Sequence, residues 1–176
     1  MISYSNRGMA FEQLIDRTNQ MYDNMEMAVI NKRPTPVKIL KQINRSMISG
    51  FLEKPSTVDY DGTFRGRSIV FEAKSVRELN RFDLKNMQDH QVEYLSKCHR
   101  AGAISFLLVE FVKHHTIYLM PYETLAHYWT RAQAGGRGTK SIPIEDFNIN
   151  AYEVASGRVP VDYLKVVNQI WKLDAA

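Results

Sequence analysis

The stretch "RSIVFEAKS", residues 67–75, reads as a strand interrupted by a carboxylate and an ammonium group, Glu72 and Lys74. Side chains alternate along a strand, so Val70, Glu72 and Lys74 project from one face while Ile69, Phe71 and Ala73 take the other. A half-exposed strand with an ion pair on its wet face would satisfy this pattern, and the triplet alone proves nothing more. Asp59 in the upstream "TVDYDG" supplies a second acid. Two carboxylates on neighbouring strands make a hard-oxygen site suited to magnesium, which keeps several waters and takes substrate phosphate as a further ligand. Such an ion lowers the pKa of a bound water for attack on phosphorus, and Lys74 on the same face stabilises the charge that develops there.

That chemistry depends on register. "TVDYDGTFRGRSIVFEAKS" holds two strands joined by a glycine turn at Asp61-Gly62 or at Arg65-Gly66. If Arg65-Gly66 is a two-residue hairpin loop, Phe64 pairs with Arg67 and an unbroken ladder sets Asp59 opposite Glu72. A bulge at Asp61-Gly62 would shift that pairing.

The remaining elements must position this strand pair. "GMAFEQLIDRTNQMYDNMEMAVI" places Phe11, Leu14, Ile15, Thr18, Met21, Tyr22 and Met25 at helical spacing, which predicts an amphipathic helix of about five turns. The segment "NKRPTPVKILKQINRSMISGFLEKPS", punctuated by Pro34, Pro36 and Pro55, contains Lys32, Arg33, Lys38, Lys41, Arg45 and Lys54 against the single acid Glu53. The prolines separate this piece from its neighbours, leaving a protruding basic arm or a solvated loop. A second helix is expected over "DLKNMQDHQVEYLSKCHRAG", with Asp83 as N-cap and Gly102 as stop. Gln91 falls inside its apolar stripe and must find hydrogen-bond partners, a backbone carbonyl among the options. "AISFLLVEF" and "HTIYLMP" read as the central strands, "YETLAHYWTRAQ" as a third helix and "VDYLKVVNQIWKL" as the last. The pattern predicts an α/β fold with a mixed central sheet flanked by helices.

Composition bounds the function. The 176 residues suit a single domain, and the formal charge of +4 favours polyanions only where it clusters. One cysteine, Cys98, excludes an intrachain disulfide and a thiolate zinc cluster, and suits a reducing compartment. No apolar signal core or membrane-length run is visible, so a cytoplasmic location is expected. "GGRGTKS" is no phosphate-binding P-loop, because Thr139 separates its last glycine from Lys140 and it follows a helix instead of a strand. His114 and His115 lack partners at metal spacing, and His90 points away from its neighbour Gln91.

"VDYDG" followed by "FEAK" resembles the Asp…(Asp/Glu)-x-Lys motif of the restriction-endonuclease-like superfamily. "NRG", "KRPTP", "STVDYDGTFRG", "FEAKS", "HQVEYL" and "VDYLK" follow in the order seen in RecU-type Holliday junction resolvases, across nearly the whole chain. The resemblance implies a single nuclease domain over residues 1–176 with a basic stalk-like insertion at about 37–55. It implies a magnesium-dependent endonuclease, with manganese as a substitute, that cuts four-way junctions symmetrically during recombination and repair. Asp59 and Glu72 match metal ligands, Thr57 and Gln91 complete the metal site, and Lys74 matches the lysine that stabilises the transition state. Arg7, Lys32, Arg33, Lys38, Lys41 and Arg45 are expected at DNA, with Glu12 a further residue near the site. Homodimerisation and a RecA-type recombinase partner are implied as well. The stalk segment is a few residues shorter than that of cellular members, a departure that points toward a phage-encoded relative. The competing readings are a sequence-specific restriction-like nuclease and a junction-binding or recombinase-modulating protein without hydrolysis.

Overall fold

The computed structural model describes residues 5–45, 47–52 and 57–173, of which residues 5–7 and 52 by backbone only. Helix α1 (Ser5–Asn24) follows the predicted spacing, burying Phe11, Ile15, Thr18 and Tyr22 along one stripe. It ends sooner than the sequence suggests. Glu26 takes a left-handed φ of 54° and turns the chain into an edge strand, β1 (Ala28–Lys32), so Met25 is exposed and "AVI" belongs to the sheet. A short β-branched run beside a helical stripe satisfies either period, and its antiparallel partner decides the matter.

That partner is β4 (Tyr60–Phe64), which pairs in turn with β5 (Arg67–Val76). Between β1 and β4 lie β2 (Val37–Gln42) and β3 (Ile48–Leu52), which pair only with each other; every residue of β2 is exposed. After β5 come β6 (Arg81–Asp83), a short 3-10 turn, α2 (Asp89–Arg100) and β7 (Ile104–Phe111), whose pairing with β5 is parallel. Then follow β8 (Thr116–Pro121), α3 (Tyr122–Gln133), β9 (Ser141–Pro143), α4 (Ile144–Asn150), β10 (Tyr152–Glu153) and α5 (Tyr163–Trp171). The main sheet runs β1-β4-β5-β7-β8-β10 and is mixed, with helices on both faces.

Strand β5 is buried from both sides, which its alternation explains. Ile69, Phe71 and Ala73 join Phe11 and Ile15 of α1 and Tyr163 and Leu164 of α5 in one core. Val70 and Val76 face the other, with Val92 and Leu95 of α2 and Leu125 of α3. In the first core the rings of Tyr60, Phe71 and Phe106 stack at 4.8 Å per step across three adjacent strands. Each such pair contributes about 0.5–1.5 kcal/mol beyond its area burial and resists slippage of the ladder.

Asp83 does not cap α2. Phe82 pairs with Ile142, drawing residues 81–83 into a two-stranded sheet with β9. The helix starts afresh after Gln88, whose side chain and that of Gln91 form a reciprocal capping box. This distant pairing leaves no local trace in the sequence. Its consequence is that Gln91 stands on the first turn of α2 instead of its middle.

Candidate active site

Arg65 and Gly66 form the hairpin loop, both at positive φ (48° and 71°), as a tight hairpin of matching twist requires. Phe64 therefore pairs with Arg67 and the ladder continues to Tyr60 opposite Phe71. The alternative turn at Gly62 is closed: a Cβ there would lie 2.1 Å from the Val29 carbonyl, so glycine serves the close approach of β1. One step beyond the Tyr60–Phe71 pair, Asp59 meets Glu72.

The two acids hold each other through the opposing backbone. The Asp59 amide donates to Glu72 Oε2 at 3.1 Å, and the Ala73 amide donates to Asp59 Oδ2 at 3.0 Å. Glu72 is fully buried, so the wet-face reading of "FEAK" fails: the face carrying Glu72 lies under α2. Its Oε1 accepts from Lys74 Nζ at 2.6 Å and from the side-chain amide of Gln91. Burial pushes the Glu72 carboxyl up to about 8, more than the attraction of Lys74 lowers it, and the charge of Asp59 adds to the rise.

Structure thus brings Asp59, Glu72, Lys74 and Gln91 into direct contact. Gln91 turns its nitrogen to Glu72, while its Oε1 accepts from the Gln88 amide at 2.9 Å and completes the helix cap. Presenting that oxygen to an ion requires the amide to turn over, a rotation that exchanges groups of nearly equal size. Thr57 stands two residues before Asp59, its hydroxyl accepting from Arg33 at 2.6 Å. Among the described residues no group of three or more His, Cys, Asp or Glu side chains comes together. An acidic pair supplemented by hydroxyl and amide oxygens is nonetheless a donor set that fits magnesium, which binds through one or two carboxylates and retains water. Ionising the buried Glu72 carboxyl beside a second acid would create negative charge that a bound cation compensates.

The basic residues separate into two groups. Lys38 and Lys41 lie on exposed β2, Lys38 over the Phe51 ring at 5.9 Å, and Arg45 is exposed near the tip joining β2 to β3. Lys32 and Arg33 are instead engaged by the body. Lys32 pairs with Glu12 at 2.5 Å, a bond that raises its pKa, and Asp16 lies 4.0 Å away. Arg33 binds Thr57 and Asp61 and packs over Tyr94. The side chain of Arg7, and Glu53, Lys54 and Pro55 entirely, lie outside the described residues. Sequence reasoning missed Asp61 and Tyr94 as supports of the site; the only local signal was the second acid of "DYDG".

The model of the family "RecU: Recombination protein U" matches residues 6–169. The chain belongs to the RecU family. It is similar to proteins named Holliday junction resolvase RecU: 34% identical to that of Geobacillus sp. (strain WCH70), covering 96% of this chain and 86% of the relative. The identity is 37% with that of Limosilactobacillus reuteri (strain DSM 20016), over 95% of this RecU-family chain and 84% of the relative. A solved structure of Hjc, a Holliday junction resolvase from Archaeoglobus fulgidus, aligns with a TM-score of 0.36 and 11% identity, over 62% of this chain and 77% of that one. No helix among the described residues is long and apolar enough to cross a membrane.

Proposed function

We propose that this RecU-family protein is a magnesium-dependent endonuclease that resolves four-way DNA junctions by paired, symmetric hydrolysis of phosphodiester bonds. The observation that carries the reading is the interlocked pair Asp59–Glu72, with Glu72 buried beneath α2 and in contact with Lys74 and Gln91. Asp59 and Glu72 would hold the ion, with oxygens of Thr57 and Gln91 and solvent completing its shell. When bound, the ion supplies a water of lowered pKa and offsets charge on the scissile phosphate; manganese, of similar hardness, would substitute.

The protein's own groups do the rest. Lys74, anchored to Glu72 at 2.6 Å and about a fifth exposed, keeps one positive charge at the mouth of the site. Its ammonium has three donors, enough to retain Glu72 while holding a phosphate oxygen in the transition state. The ribbon of β2 and β3 serves as a stalk, its Lys38, Lys41 and Arg45 meeting phosphates and reading junction shape more than base sequence. A homodimer would bring two such sites to one junction, as opposed cuts require, and a RecA-type recombinase is the partner expected to deliver it.

Labelled four-way junction and linear duplex, incubated with magnesium, test this reading. The expected result is symmetric nicking of the junction, abolished in Asp59→Ala and reduced about 10²–10³-fold in Lys74→Ala, with junction affinity retained in both. Binding without any cutting would leave a junction-binding protein, and cutting of linear duplex at a fixed sequence a restriction-like one.

A further inference from the structure

Arg33 is the last residue of the body before the Pro34-Thr35-Pro36 segment that leads into the exposed ribbon. Its backbone extends the β1–β4 ladder, the amide donating to the Asp59 carbonyl at 2.8 Å. Its guanidinium is divided among three elements. One terminal nitrogen donates to the Thr57 hydroxyl at 2.6 Å, Nε lies 3.1 Å from Asp61 Oδ2, and the plane sits 5.1 Å from the centre of the Tyr94 ring. Tyr94 follows Gln91 by three residues on α2 and so shares its side of the helix. A single side chain therefore touches the Thr57 hydroxyl, the strand that Asp59 leads into and the helix that carries Gln91, and so adjoins three of the four proposed ion-binding groups.

We infer that Arg33 is a positioning residue for the metal site, bracing Thr57 and α2 from the base of the ribbon instead of contacting DNA. The inference rests on the reading of Thr57, Asp59, Glu72 and Gln91 given under Proposed function. Asp61 neutralises the guanidinium, so the brace adds no net positive charge beside the ion. The Thr57 hydroxyl has two lone pairs; Arg33 occupies one and thereby aims the other. The planar fork of arginine can serve Thr57 and Asp61 together, which the point charge of a lysine cannot. Because Arg33 adjoins the ribbon, force on the ribbon from a bound junction reaches the ion's ligands through this residue.

Manganese titration of the DNA-free protein, followed by electron paramagnetic resonance, reads the effect without requiring turnover. Arg33→Gln is expected to weaken manganese binding about 10–100-fold, as loss of an outer support does. Junction affinity measured in EDTA should change less than about twofold, well below the loss that removing a phosphate contact brings. Thr57→Val should weaken the ion to a similar extent, and the double variant no further than the weaker single, because both changes cut one link. Arg33→Lys should fall between wild type and Arg33→Gln, and it is scored by the same criteria if Arg33→Gln melts below the assay temperature. Unchanged manganese affinity with weakened junction binding would make Arg33 a phosphate contact and overturn the inference, as would fully additive losses in the double variant. A wild-type protein that cuts junctions but shows either result defeats only this inference. One that neither binds manganese nor cuts defeats the proposed function.

Discussion

Glu72 is the residue where stability and function pull apart. Its carboxyl titrates near 8 in the folded chain against an ordinary value of 4.5, chiefly because it is buried. Between those values the folded protein retains a proton that the unfolded chain has released, so stability is fully present below about pH 4.5 and declines as pH rises toward 8. Glu72→Gln, a neutral mimic of the protonated form, should erase that decline. In EDTA the variant should melt with wild type near pH 4.5 but several degrees higher at pH 8, since about 1 kcal/mol moves the melting point of a chain this size by about 2–4 °C. Added magnesium should raise the wild-type melting point and leave the variant unmoved, because only a deprotonated carboxylate gains from the ion. Calorimetry at the two pH values, with and without magnesium, checks both; a variant less stable at pH 8 would show that the Lys74 ion pair outweighs burial.

Among the elements, the β2–β3 ribbon is separable from the body, whereas β5 is not. The ribbon pairs only within itself and exposes all of β2, with the apolar Ile39, Leu40 and Phe51 half or more open to solvent. Replacing residues 37–52 by a short Gly-Ser linker should therefore shift the melting point by no more than a few degrees, as little buried apolar area is lost. Junction affinity should drop and its salt dependence flatten by up to about 3 in log–log slope if Lys38, Lys41 and Arg45 each meet a phosphate, at about 0.9 per contact. Binding measured from 50 to 200 mM salt reads the slope; an unchanged slope would move the phosphate contacts elsewhere. Strand β5 carries one residue set into each core, so no comparable excision of it leaves either core intact.

At the scale of the whole molecule, each chain carries a single Asp59–Glu72 site, and the symmetric resolution proposed above needs two. In the proposed homodimer each subunit cuts its own strand. Mixed dimers of wild type with Asp59→Ala should then give single nicks in place of paired ones, at about half the wild-type nicking rate. Strand-specific labels on a four-way junction distinguish the outcomes: paired cuts by the mixed dimer would mean that one site serves both strands.

The amino-acid sequence by itself was enough to mark the acid–acid–lysine residues, a hairpin at one of two glycine turns, the apolar strands β7 and β8 and the family, because turn chemistry, strand alternation and motif order are local properties. The choice of Arg65-Gly66, which pairs Asp59 with Glu72, came with the close approach of β1 at Gly62. The sequence did not determine which face of β5 would be covered; α2, returning over that face, made Glu72 a buried acid instead of a wet one. Nor could it yield the start of α2 after Gln88, beyond the pairing of Phe82 with Ile142, or the placement of Arg33 against Thr57, Asp61 and Tyr94. Each of those outcomes comes from contact between segments far apart in the chain, and only tertiary packing, which sets the desolvation and partners of every charged group, decides between the states that local pattern leaves open.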